Sequence, residues 1–198
     1  MRTVETTSRA TAEPSGPPRR AARWMVTFAG FPLGGLAAEI LVGRVDAAGP
    51  AIVGGLVTGA VVGAFQGWGL RLPRNVALGW AAATAVGLMT GLWFGSALAG
   101  YRTDLAALVL QGAICGIAVG LPQAFLLRPL VGRLAFGWPP VLGAIWATGW
   151  AVTAGVGVQV DQQFTVFGSS GALVVTALTA VLALAVHRPV HPDQERPS

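Results

Sequence analysis

The chain has 198 residues, of which 54% are hydrophobic and only 11% charged, and its mean hydropathy is +0.64. Soluble domains carry about 25% charged residues, so a water-exposed globule is excluded and an all-α, polytopic membrane helix bundle is expected. All 13 basic residues are arginine, and they lie scattered between apolar stretches without forming one basic face. The net charge of +5 therefore reads as membrane topology and not as nucleic-acid binding.

Residues 1–22 are rich in Thr, Pro, Ala, Ser and Arg, with Pro14, Pro17 and Pro18 close together, and read as a disordered tail. Six apolar spans follow, at about 24–42, 51–70, 76–99, 105–127, 134–156 and 164–186. Each is long enough to cross a hydrocarbon core of about 30 Å as a helix. Together they form one transmembrane domain over 23–187, and a polar tail, 188–198, ends the sequence.

Orientation follows from the arginines. With the amino terminus inside, the inner side holds Arg2, Arg9, Arg19, Arg20, Arg23, Arg71, Arg74, Arg128, Arg133, Arg188 and Arg196, against Arg44 and Arg102 outside. The outer loops carry Asp46, Asp104 and Asp161 instead. The expectation is a bacterial plasma-membrane protein with both termini cytoplasmic. A secretory signal would also show a charged start, an apolar run and a small-residue site such as Val45-Asp46-Ala47. Against it, the run is longer than the usual 7–15 residues and contains Pro32 and Glu39.

Spans 2 and 3 are echoed by spans 4 and 5. Gly55, Gly59, Gly63, Gln66 and Arg71 match Gly112, Gly116, Gly120, Gln123 and Arg128 at one offset, and Gly79-Trp80 matches Gly137-Trp138 one residue further on. The copies, about 51–99 and 108–156, run in the same direction through the bilayer. This predicts a parallel two-hairpin repeat, unlike the inverted repeats of many transporters.

Glycines recur every fourth residue, as Gly55, Gly59, Gly63 and Gly67, as Gly87, Gly91 and Gly95, and as Gly112, Gly116 and Gly120. Four-residue spacing stacks them on one helix face, as in a glycine zipper. Helices in lipid associate through close van der Waals approach, so small residues mark the contacts. This predicts a tight bundle in which spans 2 and 4 face each other; a glycine-lined pore is the competing reading.

Four polar side chains form a candidate intramembrane site. Gln66 and Gln123 each lie five residues before a boundary arginine, Arg71 or Arg128, which anchors the inner interface by snorkelling. The two amides sit at one depth, where a pseudo-symmetric pair of helices would let them bond each other, either as structural glue or around a polar solute. Glu39 is the one acid within a predicted span. It reads either as an interfacial carboxylate, paired with Arg44 or with Gln111 at the matching depth, or as a proton or cation site. Trp24, Trp68, Trp80 and Trp138 gather at the inner level as an aromatic belt would.

The repeated unit resembles a group of uncharacterised bacterial multi-pass membrane proteins. Their glycine-spaced helices end in a glutamine–tryptophan, leucine–arginine signature, followed by a tryptophan-containing return helix. The matching residues are Gly63, Gln66, Leu70, Arg71 and Trp80, then Gly120, Gln123, Leu127, Arg128 and Trp138, within about 51–156. Gly67 intervenes before Trp68, and Phe125 stands where the second tryptophan would be. The resemblance implies a membrane location and no established activity.

Catalytic parts are missing from the spans. His187 and His191 occur in the terminal tail, Cys115 is a lone thiol inside an apolar run, and no phosphate-binding loop, H-E-x-x-H or G-x-S-x-G motif is present. The expectation is no enzyme, no cofactor and no metal. Two functions remain open. One is a non-enzymatic bundle acting as a scaffold or accessory subunit, packed against lipid and against itself or a membrane partner. The other is a small-solute or proton-coupled permeation unit using Glu39 and the glutamines.

Overall fold

A computed structural model describes residues 17–157 and 168–185, and these are built from helices without a strand. Helix α1 (Pro17–Val26) passes through a 3-10 turn, Thr27–Ala29, into α2 (Gly30–Val42). There follow α3 (Ala48–Gly69), α4 (Arg74–Leu98), α5 (Leu105–Val131), α6 (Trp138–Gly155) and α7 (Ser169–Ala185), with a second 3-10 segment, Gly132–Gly137, between α5 and α6. Stretches 18–42, 48–69, 74–98 and 105–155 are long and apolar enough to cross a membrane, and Ser169–Val181 is a shorter apolar helix. The outer surface of the bundle suits that medium: Ile40 is 75% exposed and Phe94 54%. Wide exposed apolar surfaces are rare on soluble monomers, and this one is of the kind that lipid can solvate.

Local chemistry explains the joints. Pro17 and Pro18 open α1, because the first turn of a helix needs no N–H donor. The helix thus begins inside the segment 1–22 that composition assigns to a disordered tail; residues 1–16 lie outside the described part. The 3-10 turn sits just before Pro32, which cannot donate to Phe28 and crowds its carbonyl. The long apolar run 105–155 doubles back where Gly132 adopts a left-handed φ of +61°.

The glycines set the helix register. A Cβ placed on Gly55, Gly59, Gly63 or Gly67 would meet Leu88 and Met89, Ala85, Ala81 or Ala77 of α4. Each step down α3 is thus a step up α4, as antiparallel neighbours require. Gly87, Gly91 and Gly95 of α4 face Val119, Cys115 and Gln111 with Ile114 on α5, and Gly112, Gly116 and Gly120 of α5 face Trp146 with Trp150, Leu142 with Gly143, and Pro139 of α6. The approach is backbone to backbone, with a Cβ on Gly59 only 2.7 Å from the Ala85 Cα.

Helices α3 and α5, the second and fourth spans, therefore do not face each other as the spacing suggested; α4 separates them, and each turns its glycines to the helix that follows it in the chain. Short connections make consecutive helices neighbours, and so each glycine face is used on the next helix. The ring closes where α7 packs on both α6 and α1. Its centre is filled. Phe31 of α2 meets Trp146 of α6 edge to face at 6.1 Å, among buried Val62, Leu88, Leu92, Val119 and Trp150. Nothing in this geometry makes the glycines a pore lining.

Candidate functional site

The antiparallel register brings residues on either side of each short connection to the same height. Gln66 lies in the last turns of α3 and Trp80 in the second turn of α4, and Trp80 Nε1 donates to Gln66 Oε1 at 2.9 Å. The next hairpin repeats the arrangement, with Trp138 Nε1 donating to Gln123 Oε1 at 2.8 Å. Gln123 also donates through Nε2 to Thr84 Oγ1 at 2.9 Å, and that hydroxyl donates to the Trp80 carbonyl. A third indole, Trp24 Nε1, donates to the Thr176 carbonyl at 2.9 Å and, more weakly, to Thr179 Oγ1. Three helix pairs of the ring, α7 with α1, α3 with α4 and α5 with α6, are thus each tied by one indole.

These groups surround a cavity of about 10 Å³ lined by Trp24, Gln66, Trp80, Gln123, Trp138 and Thr179, with Trp146 above. That volume holds about one water. Gln123 is 2% exposed and Trp80 3%, so every polar atom here needs a partner within the protein or in that water. Chemically the arrangement holds helices in register; it presents no nucleophile and no ionised group to a substrate.

The candidate residues separate. Gln66 and Gln123 share the cavity without bonding each other, because each carbonyl oxygen is taken by the indole of its own hairpin. Gln111 is buried beside Gly95, three helical turns from Gln123, about 18 Å along the axis. Glu39 is exposed near the end of α2, and it pairs with neither Arg44 nor Gln111. Cys115 is buried against Gly91 of α4.

The aromatic belt also resolves differently. Trp24 and Trp80 are buried and Trp138 half-buried, all three donating inward, while Trp68 alone of the four is exposed, at 56%. Sequence reasoning assigned these indoles to lipid because it judged them by depth alone. A signal was present: Gln and Trp flank each connection at nearly the same separation in both copies, which suits a donor and an acceptor on antiparallel neighbours.

Arg71 and Arg128 lie at the same end of the bundle as the cavity. Arg71 closes α3 with φ at +54°. Its N–H bonds the Trp68 carbonyl, and the Leu72 N–H bonds that of Gly67. This is a Schellman turn whose left-handed position is usually glycine, and an L side chain there costs about 1 kcal/mol. Among the described residues, no group of three His, Cys, Asp or Glu side chains comes together that could hold a metal ion.

No family model matches the chain, and neither a curated protein nor a solved structure is similar to it.

Proposed function

We propose that this is a non-enzymatic integral membrane protein, a tightly packed bundle that acts as a scaffold or accessory subunit, alone, as an oligomer or beside a membrane partner. The observation that carries this reading is the packed ring centre, where Phe31 lies against Trp146 and the cavity lined by both glutamines has room for about one water. A path for solutes needs polar groups with bonding capacity to spare along the bundle axis; here the glutamines are engaged with indoles and Glu39 is on the outside. Proteoliposomes should therefore show the same proton and sodium flux as protein-free vesicles, with Glu39→Gln indistinguishable from wild type. A flux that requires Glu39 would establish the permeation reading in place of the scaffold.

The chain in this reading crosses a bacterial plasma membrane six times, with two parallel copies of one hairpin. The doubling back at Gly132–Gly137 and the paired Trp80–Gln66 and Trp138–Gln123 bonds support it. The arginine asymmetry puts both termini in the cytoplasm. Tags at either end should be shielded from external protease in intact cells, whereas one in the loop that holds Arg102 should be cut. An accessible amino-terminal tag, or its removal by processing, would reverse the orientation or revive the secretory signal.

A further inference from the structure

At the end of the bundle that carries Arg71, helices α1, α3 and α4 leave a groove of about 500 Å³ at the surface. Three arginines, Arg23, Arg71 and Arg74, are among the residues that line it. Among the described residues no carboxylate pairs with any of them, and partial burial, then the charges of Arg71 and Arg20, disfavour the charged form of Arg23. Arg23 is nonetheless held in place, its Nε donating to the Gly69 carbonyl at 2.7 Å. Three cations lining one groove are electrostatically complementary to an anion.

The rest of the groove is apolar. Ala64 of α3 and Ala77 and Ala81 of α4 are too small to fill the space between their helices. A second, almost wholly apolar groove of about 310 Å³ lies on the α1 side, formed by Val26 and Phe65. The two grooves share Ala64 and Trp68, so the exposed indole is a ridge between two apolar channels beside three cations.

The backbone at this corner is also unusual. Helices α2 and α5 are followed by glycines, Gly43 and Gly132, at positive φ, whereas α3 places Arg71 there, a feature it shares only with Tyr101 among the described non-glycine residues. The turn itself has no need of a guanidinium, and a strained residue that persists points to a use. In the second hairpin Phe125 takes the place of Trp68 and packs edge-on against Phe136 at 6.5 Å.

We propose that this groove binds one anionic diacyl phospholipid, its phosphodiester held by Arg23, Arg71 and Arg74 and its two acyl chains lying in the channels on either side of Trp68. Arginine forks match phosphate oxygens, and basic pockets between membrane helices take acidic headgroups. Inorganic phosphate would satisfy the cations but leave both channels empty, whereas a diacyl lipid occupies the whole surface and is supplied by the bilayer. The inference rests on the membrane part of the proposed function. Recovery of the protein in alkali-washed membranes tests that part separately.

The full-length protein in mild detergent is titrated with dioleoylphosphatidylglycerol, dioleoylphosphatidylcholine and inorganic phosphate, with bound lipid counted by native mass spectrometry. The phosphatidylglycerol should be retained about tenfold more tightly than the phosphatidylcholine, and Arg23→Gln or Arg71→Gln should each weaken it about tenfold. Arg128→Gln removes the same charge at the other hairpin and should leave retention unchanged. Arg71→Gly relieves the left-handed turn, so its melting temperature should hold or rise while lipid is lost, separating binding from folding. Equal loss with Arg128→Gln would reduce the effect to diffuse charge. Equal retention of phosphatidylcholine, full retention by Arg71→Gly, or a thermal shift from phosphate matching that from the lipid would each overturn the proposal.

Discussion

Gly116→Leu should unfold the bundle in detergent, or lower its stability by about 3 kcal/mol or more, because there is no room for any side chain at this position. A Cβ there would stand 2.5 Å from the Leu142 carbonyl oxygen and 2.7 Å from the Gly143 Cα. Both are backbone atoms of α6, which can yield only if the helix moves as a body, forfeiting dispersion contacts along the whole seam. Gly59→Leu should behave alike, because its Cβ would meet Ala85 Cα and the Thr84 carbonyl at 2.7 Å. The effect is graded by distance and not by sequence pattern. At Gly95 the nearest atoms to a Cβ are 3.4 Å away, an ordinary contact, so Gly95→Ala should be neutral or gain a few tenths of a kcal/mol from helix propensity. Ala60→Leu, on the exposed face of α3, should stay within about 0.5 kcal/mol of wild type. Thermal melts of these variants in one detergent check the order; a Gly116→Leu protein melting with wild type would dismiss the close seam.

Replacing Gln123 by Leu should cost about 2 kcal/mol, more than the loss at Gln66. Gln123 is the branch point of the polar network. Without it the Trp138 N–H loses its acceptor and the Thr84 hydroxyl loses a donor, whereas Gln66 has the single bond from Trp80. Direct partners couple, so Gln123→Leu with Trp138→Phe should cost about 1 kcal/mol less than the sum of the singles. The two glutamines have no bond to each other, and Gln66→Leu with Gln123→Leu should be additive within about 0.5 kcal/mol. Chemical denaturation of the three single and two double variants in micelles supplies both cycles. Coupling between the glutamines as large as that with Trp138 would show that a water in the central cavity joins them.

The glutamines also illustrate how the candidate site was read from the sequence and where that reading stopped. Their depth followed from their five-residue distance to Arg71 and Arg128, and the shared cavity agrees with it. Equal depth suggested that they meet. It did not reveal that α4 stands between α3 and α5, which gives each amide a nearer donor. Glu39 was singled out because a carboxylate in hydrocarbon is costly. Depth along a helix cannot tell which side of that helix faces the bundle, and α2 turns Glu39 outward. The groove at Arg23, Arg71 and Arg74 was not legible. It arises from the absence of bulk at Ala64, Ala77 and Ala81 and from a backbone angle at Arg71, neither of which composition or spacing records.

Sequence alone therefore determined the helical class and the apolar character: low charge, several runs long and apolar enough to cross a membrane, and glycines at helical spacing that mark close seams. These are one-dimensional properties, because a helix satisfies its own backbone and its length and hydropathy are written along the chain. Tertiary structure alone decided which seam each glycine face joins, which tryptophans turn inward and which residues share a cavity. Those outcomes depend on the rotation of each helix about its axis. Rotation is set jointly by all the neighbours through backbone contacts such as Gly116 against Leu142 and bonds such as Trp138 to Gln123, and no single stretch of sequence contains them.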